Sequence, residues 1–408
     1  MHILPVTPAD NNSINVLEII GNASVGGMEN YIKNFLVHLP PGQFRISCIC
    51  PYESAFTQLL RELGVENVFI TPVEDDPKWR SIQLAMEVAK LHDIQLLHAH
   101  MPKAHVLAGV AGNLLNKPVV ATIHGMDVTA HEFGVARAVK SHLITNCQEA
   151  YIQALAMGVP AERVNVVSNG IDVNVFKTAA NGDKFRKAAN IPAAAQLVGF
   201  VGRFEYEKGP DLFVYAAQYI HQYMPDVHFI MVGEGEMQKE LTKLGTRFRL
   251  QKNLHFVDWC ENLAEAYAAL DILAHPSRSD GTSLVLLEAM ACGKPAAGFS
   301  VGGIREIIEN RNTGLLAPVG DWEALARRII QLLEQKPEQL KKMGEAAKAR
   351  VQKHFNVKRN TLQTAQILRR IALSASHDQQ FNLPNGVSSK KLSNGRPQMH
   401  VQKPDNNR

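Results

Sequence analysis

The stretch Asp271–Pro295, DILAHPSRSDGTSLVLLEAMACGKP, decides the reading of this chain. Its opening apolar run, Asp271–His275, reads as a buried strand. A loop of Pro, Ser, Arg, Asp and Gly follows. Thr282 or Ser283 can then cap a helix whose apolar residues continue to Cys292. Gly293 fits the position just past a helix end, and Pro295 stops further propagation. Strand, loop and helix together make the unit that sets a helix N-terminus against a phosphate.

Glu288 is out of place in that helix. Leu284, Val285, Leu286, Leu287, Ala289, Met290 and Ala291 surround it, so every face is apolar or small and the helix should be buried. A buried carboxylate costs several kcal/mol unless it is paired or hydrogen-bonded. Glu288 lies about five residues past the cap, roughly 7–8 Å along the axis. A diphosphate on the helix N-terminus would place its ribose beside that turn, where two vicinal hydroxyls satisfy the acid. Asp280, in the preceding loop, sits where the other end of such a ligand would lie. The competing reading is a structural ion pair between Glu288 and a nearby Arg or Lys.

Outward from this unit, short apolar runs alternate with amphipathic helices in both directions. Upstream, Ile14–Gly21, Phe44–Cys50, Asn67–Ile70, Ile94–His98, Val119–His124, His142–Asn146 and Val164–Val167 read as strands. Helices such as Met28–Leu39, Ile82–Leu91 and Ala104–Leu115 separate them. A second series begins at Gln196–Arg203 and continues through Val227–Gly233, Leu254–Val257 and Ala296–Phe299. Trp322–Glu334, Pro337–Phe355 and Leu362–Ala372 read as helices. The rhythm argues for the α/β class, with parallel sheets covered on both faces and ligands beyond the carboxyl ends of the strands. A domain boundary is expected near 170–195, where the turn Asn169-Gly-Ile-Asp172 precedes a stretch rich in Ala, Asn and Lys.

Several strand ends carry polar groups. Gly26 and Gly27 form a turn before a helix, which alone is weak evidence for close approach to a ligand. His98 and His100 have no carboxylate or further His at regular ligand spacing, so a metal site is not expected and a satisfied or acceptor-facing histidine is the better reading. His124 precedes Gly125 at a strand end and is as well explained by structure as by a ligand. Arg203 and Lys208 flank the strand-to-helix turn before Pro210. They are either solvated charges or a grip on the same diphosphate as the Ser283 helix.

The chain has 408 residues, 46% hydrophobic and 20% charged, with a net charge of +4 too dispersed to argue for nucleic acid. Five cysteines lie mostly in apolar runs with no C-x-x-C pair, which suits buried thiols in a reducing compartment. No apolar run reaches the ~18 residues of a membrane span, and the first apolar run, which contains Glu18, has no basic region before it. A cytoplasmic location is expected. The polar stretch from Ser376 carries +3 of the net charge and is expected to be disordered. Such a tail is able to touch an anionic membrane surface at its inner face, although a solvated tail is the default.

The run Asp280-Gly-Thr-Ser-Leu-Val-Leu-Leu-Glu288 resembles the paired-acid motif, E-x7-E, of the family 4 retaining glycosyltransferases. Gly26-Gly27-Met-Glu29, His98-Ala-His100, Ser168-Asn-Gly-Ile-Asp172, Gly202-Arg203, Glu207-Lys208-Gly209 and Gly302-Gly-Ile-Arg-Glu306 resemble that family's other motifs, in its order. The resemblance covers residues 14–373. It implies the GT-B fold: two facing Rossmann-like domains with the active site in the cleft between them. The expected divisions are residues 1–175, 176–355, a helix at 356–375 crossing back to the first domain, and a disordered tail at 376–408.

Carried over residue by residue, the resemblance makes Glu288 the ribose ligand. Arg203 and Lys208 neutralise the leaving diphosphate with backbone amides near Ser283 and Leu284. Gly26 and Gly27 bring backbone close to the reacting centre, and His124 lies near the donor sugar. Asp280 departs from the family's usual Glu, which retracts the carboxylate and puts the donor identity in doubt. The implied activity is retaining transfer from a nucleotide-diphosphate sugar to a carbohydrate or lipid-linked acceptor. Its setting would be polysaccharide, lipopolysaccharide or glycolipid biosynthesis. No Asp-x-Asp pair occurs, so transfer without a metal or other cofactor is expected. A sugar-nucleotide epimerase of the same fold and a catalytically weak nucleotide-sugar-binding protein are the rivals. A nicotinamide oxidoreductase is disfavoured because residues 21–27 lack the G-x-G-x-x-G spacing.

Overall fold

The computed structural model describes residues 13–24, 26–176, 181–258 and 263–381, the last six as backbone alone. Two parallel sheets organise it. The first contains β1 (Ile14–Ile20), β2 (Phe44–Cys50), β3 (Asn67–Ile70), β4 (Leu96–His100), β5 (Val119–Ile123), β6 (His142–Thr145) and β7 (Val164–Val166). Its helices are α1 (Gly27–His38), α2 (Ala55–Glu62), α3 (Trp79–Leu91), α4 (Pro102–Leu115), α5 (Ala130–Ala138) and α6 (Gln148–Ala156). The strand order is β3-β2-β1-β4-β5-β6-β7.

The second sheet contains β8 (Leu197–Val201), β9 (His228–Val232), β10 (Leu254–Val257), β11 (Ile272–His275), β12 (Ala296–Phe299) and β13 (Gly314–Ala317), in the order β10-β9-β8-β11-β12-β13. Around it run α7 (Gly182–Ala188), α8 (Pro210–Tyr223), α9 (Gln238–Arg247), α10 (Leu263–Ala269), α11 (Leu284–Ala291), α12 (Ile304–Ile307), α13 (Trp322–Leu333) and α14 (Pro337–His354). A final helix, α15 (Val357–Phe381), follows directly.

Both sheets therefore reverse their winding once, between β1 and β4 and between β8 and β11. These are the points where helices diverge to opposite faces and leave a crevice beyond the strand ends. The strands are buried and mostly apolar because helices cover both faces.

The chain leaves the second domain at Phe355 and crosses to the first. Leu368, Ile371 and Ala372 of α15 join Ile14, Val16, Phe35, Leu96 and Val120 in one buried cluster. Burying a side chain such as Leu368 contributes about 1.5–3 kcal/mol. Asn360 Nδ2 fixes the crossing by donating to the Ser168 carbonyl at 2.7 Å.

Three expectations need correction. First, α15 runs on to Phe381, so residues 376–381 are helical rather than disordered. No Gly or Pro interrupts the sequence until Pro384, and Ser, Gln and Ala tolerate a helix. The rest of the expected tail, 382–408, and residues 1–12 lie outside the described residues. Second, α7 occupies the expected boundary segment, and the fold adds α5 and β13, which the apolar pattern does not predict. Third, β4 spans Leu96–His100, two residues later than expected. Asp93 adopts φ 48°, and Ile94 N–H donates to the Ala89 carbonyl at 2.9 Å. Ile94 is thus the apolar closing residue of a left-handed helix cap on α3, not the first residue of a strand.

Candidate active site

The organising unit of the second domain folds as its sequence predicts. Ser283 caps α11 and its hydroxyl accepts from Leu286 N–H at 3.4 Å. The amides of Leu284 and Val285 open the helix and have no partner inside it, and the two residues are only partly buried. One turn further, Glu288 has no cation within ion-pair distance among the described residues. Its Oε2 instead accepts from the Tyr267 hydroxyl of α10 at 2.8 Å. The residue is partly exposed, while Leu286, Leu287, Ala289 and Met290 around it are buried. The structural ion pair offered as the competing reading is therefore not present.

Asp280 lies in the loop after β11. Lys208 Nζ reaches its Oδ2 at 3.1 Å, His275 Nε2 at 3.0 Å and Ser277 Oγ at 3.4 Å. Lys208 comes from the turn after β8, the strand beside β11, so the switch point itself brings the pair together. That turn is pinned from the other side. Arg278 forms a two-pronged bond to Asp211 at 2.9 and 2.6 Å, donates to the Tyr206 carbonyl at 2.7 Å, and stacks over the Tyr206 ring at 4.0 Å. Gly209 makes the turn at φ 65°, and a Cβ there would collide with the Pro276 carbonyl.

Arg203, at the end of β8, is 60% exposed and pairs with Glu205 at 2.7 Å rather than with the Asp280 cluster. Lys208, at 27%, is the more enclosed of the two cations.

The first domain faces this loop directly. Thr282 Oγ1 donates to the Asn146 carbonyl, Asn169 Nδ2 donates to the Thr282 carbonyl at 2.9 Å, and Gln148 N–H donates to Glu306 Oε1 at 2.7 Å. A Cβ on Gly281 would collide with the Asn146 side chain, so glycine permits this close approach. Asn146 Nδ2 in turn donates to the His124 carbonyl at 2.6 Å, which ties the end of β5 to the Asp280 loop. Gly26 and Gly27 lie at the start of α1, beyond the end of β1.

Two family models match the chain. A family model described as Glycosyltransferase Family 4 matches residues 25–175, and one described as Glycosyl transferases group 1 matches residues 181–350. The chain belongs to the family 4 glycosyltransferases.

The chain is 25% identical to an Escherichia coli UDP-Gal:alpha-D-GlcNAc-diphosphoundecaprenol alpha-1,3-galactosyltransferase, over 78% of this chain and 87% of that protein. It is 29% identical to the Bacillus anthracis N-acetyl-alpha-D-glucosaminyl L-malate synthase, over 66% of this chain and 73% of that one. Anabaena HepE, solved in complex with UDP and glucose, superposes with a TM-score of 0.76 at 25% identity, covering 88% of this chain and all of HepE. The fold is accordingly GT-B. The first two of these relatives are named as a transferase and a synthase.

The charge states of the candidate site follow from burial and partners. Burial raises the Asp280 carboxyl, but Lys208 and His275 outweigh it and hold the acid well below the usual range. Burial raises Glu288 to about 7, only partly offset by the Tyr267 hydrogen bond. Burial likewise raises Glu29, in the first turn of α1, to about 7. Its Oε1 has no hydrogen-bond partner, and Arg203 is the nearby cation that opposes the shift. His124 is held well below its ordinary value, first by burial and then by His100 and His98.

The histidines of β4 are of the satisfied kind. His98 and His100 are fully buried, and both ring nitrogens of each have a hydrogen-bond partner. The fold supplies the carboxylate that linear spacing does not: Glu18 on β1 sits between them. The ligand-type atoms of Glu18, His98 and His100 lie within 4.8 Å of one another. They bond to each other directly, at 2.9 Å for His98 Nδ1 and 2.8 Å for His100 Nε2.

Residues that the sequence reading did not assign a role are thus Tyr267, His275, Arg278, Glu29 and Glu18. Only Glu18 carried a usable signal, as the acid inside the run INVLEII.

Proposed function

We propose that this glycosyltransferase moves a hexosyl group from a nucleoside-diphosphate sugar to an acceptor hydroxyl, with retention at the anomeric carbon and without a divalent cation. The observation that carries this reading is the Glu288 carboxylate. It is placed one turn above a capped helix N-terminus, partly exposed, and satisfied by one tyrosine hydroxyl instead of a cation. A ribose diol completes its hydrogen bonds while the diphosphate takes the amides of Leu284 and Val285.

In the proposed reaction, negative charge develops on the diphosphate as the glycosidic bond breaks. Lys208, the α11 N-terminus and Arg203, once released from Glu205, stabilise that charge. Each preorganised group of this kind is worth about 3–4 kcal/mol. They do for the leaving group what a bound cation does elsewhere. Asp280 stays ionised. Its three partners all fall on Oδ2, which leaves Oδ1 to balance the positive charge that builds on the sugar ring in this scheme. The acceptor hydroxyl attacks from the face the diphosphate leaves and gives its proton to the departing phosphate oxygen. His124, Gly26 and Gly27 line the first-domain side.

The relatives' names make a uridine diphosphate sugar the first donor to try and a lipid-linked saccharide the first acceptor. Anionic headgroups carrying such an acceptor would bring the protein to a membrane surface, and no described helix is long and apolar enough to cross one.

The test is a panel of uridine diphosphate hexoses, scored for nucleotide release with and without acceptors, in chelator and in added magnesium. Acceptor-stimulated release that chelator leaves unchanged, with an α-linked product from an α-linked donor, is expected. Isomerised donor without acceptor would overturn the transfer reading. Abolition by chelator would overturn the cation-free part alone.

A further inference from the structure

An acid in the middle of a parallel sheet needs a reason. Glu18 is fully buried on β1, where an apolar residue of similar volume is usually neutral or more stable. The register places it beside His98 on β4, and β4 in turn places His100 beside Thr122 on β5. His98 Nδ1 meets Glu18 at 2.9 Å and its Nε2 meets Thr122 Oγ1 at 2.8 Å. His100 Nε2 meets Glu18 Oε2 at 2.8 Å, and its Nδ1 meets His124 Nε2 at 3.0 Å.

Proton counting along this line allows one arrangement. An ionised carboxylate only accepts, so the hydrogen between Glu18 and His100 belongs to His100 Nε2. Burial keeps His100 below its ordinary value and so neutral, which leaves its Nδ1 as a bare acceptor. The hydrogen between His100 and His124 therefore belongs to His124 Nε2. His124 is neutral for the same reason, and its Nδ1 is a second bare acceptor with no hydrogen-bond partner among the described residues. The Tyr31 ring packs edge-on against His124 at 4.9 Å and limits its rotation.

We infer that Glu18 is a positioning residue: through His100 it fixes His124 in the tautomer that offers Nδ1 to a hydroxyl of the bound sugar. The inference rests on the transferase reading for the word sugar, and on hydrogen-bond geometry for the tautomer. The relay moves no proton during turnover. It removes the alternative in which His124 presents a donor, so a sugar hydroxyl meets an acceptor without reorganisation.

The experiment measures tautomer and kinetics together on the full chain. Long-range proton–nitrogen correlation of 15N-histidine protein, with His124 signals assigned by their absence from His124→Asn, is expected to show His124 protonated at Nε2. In Glu18→Gln the carboxamide can donate to His100 Nε2, which reverses the line and leaves His124 protonated at Nδ1. The kcat then falls about ten- to a hundredfold, the loss usual when an orienting partner is removed, while UDP affinity is unchanged. In a His124→Ala background the same change has no further effect on kcat. His100→Gln tests the same link should Glu18→Gln not fold.

Wild-type His124 protonated at Nδ1 would overturn the inference. So would additive kinetic losses, or a stoichiometric metal ion held by Glu18, His98 and His100 in the purified protein. A wild-type chain with the expected tautomer that transfers no sugar would sink the transferase reading alone.

Discussion

Tyr267 donates its hydroxyl hydrogen to Glu288 across 2.8 Å, and this one bond holds the acid at the mouth of α11. It leaves Glu288 Oε1 and the remaining lone pairs of Oε2 for a ligand. The contact comes from α10, the helix before β11.

The first prediction concerns affinity. Glu288→Gln removes the charged acceptor and keeps the shape. A hydrogen bond to a charged group is worth about 1.5–3 kcal/mol, so UDP should bind at least about tenfold more weakly. Titration calorimetry checks this, and an unchanged Kd would remove Glu288 from the ribose site.

The second concerns pH. The folded-state value of Glu288 is raised to about 7 by burial, from 4.5. A raised acid favours the folded state only while it is protonated. Its contribution is fully present below 4.5 and is lost as pH climbs to about 7. In the ligand-free protein, Glu288→Gln should leave Tm unchanged near pH 4 and raise it relative to wild type above pH 7. The gap is at most about 3 kcal/mol. UDP affinity of the wild type should rise over the same interval, as the diol meets an ionised acceptor. A Tm difference that is constant across pH would contradict the assignment.

Lys208 supplies the third. Lys208→Ala takes away the ammonium that balances Asp280 and that faces the leaving group in the proposed scheme. The expected outcome is a kcat lower by about 10²–10³ with a native circular dichroism spectrum. Wild-type turnover in the folded variant would end the role. Replacement by Arg should restore little, since the guanidinium fork does not fit a single-point contact to Asp280 Oδ2.

The fourth concerns Arg278, which touches no ligand in the proposed scheme. Arg278→Lys loses the two-pronged bond to Asp211 and the ring stack, and with them the fixed position of the turn carrying Lys208. A kcat several-fold lower, with UDP affinity nearly unchanged, is expected from steady-state kinetics and calorimetry. Equal turnover would mean that the turn holds its shape unaided.

What could be read from the sequence was contiguous. The β11 strand, the Ser283 cap and the α11 helix lie in one stretch, so cap chemistry and periodicity sufficed. Glu288 was conspicuous because its immediate neighbours are apolar. The second half of each contact does not show in the local sequence: the Asp211 that holds Arg278 and the Glu18 that bonds both His98 and His100 are far away in the chain.

Strand β4 was misplaced because Ile94 has the same apolar character whether it closes a helix cap or begins a strand. The helix α5 did announce itself through Thr129 and Glu132, which cap it reciprocally, but its weak apolar periodicity concealed it. The four-residue strand β13, half glycine and alanine, offered too little pattern to distinguish from a turn.

The route of α15 has a bearing on how the protein comes into being. Ile14 and Val16 are among the first described residues to leave a ribosome, yet the side chains that cover them, Leu368 and Ile371, are among the last. During synthesis the leading half of the molecule carries an open greasy face until its final helix has been made, and a chaperone would find its clearest target there.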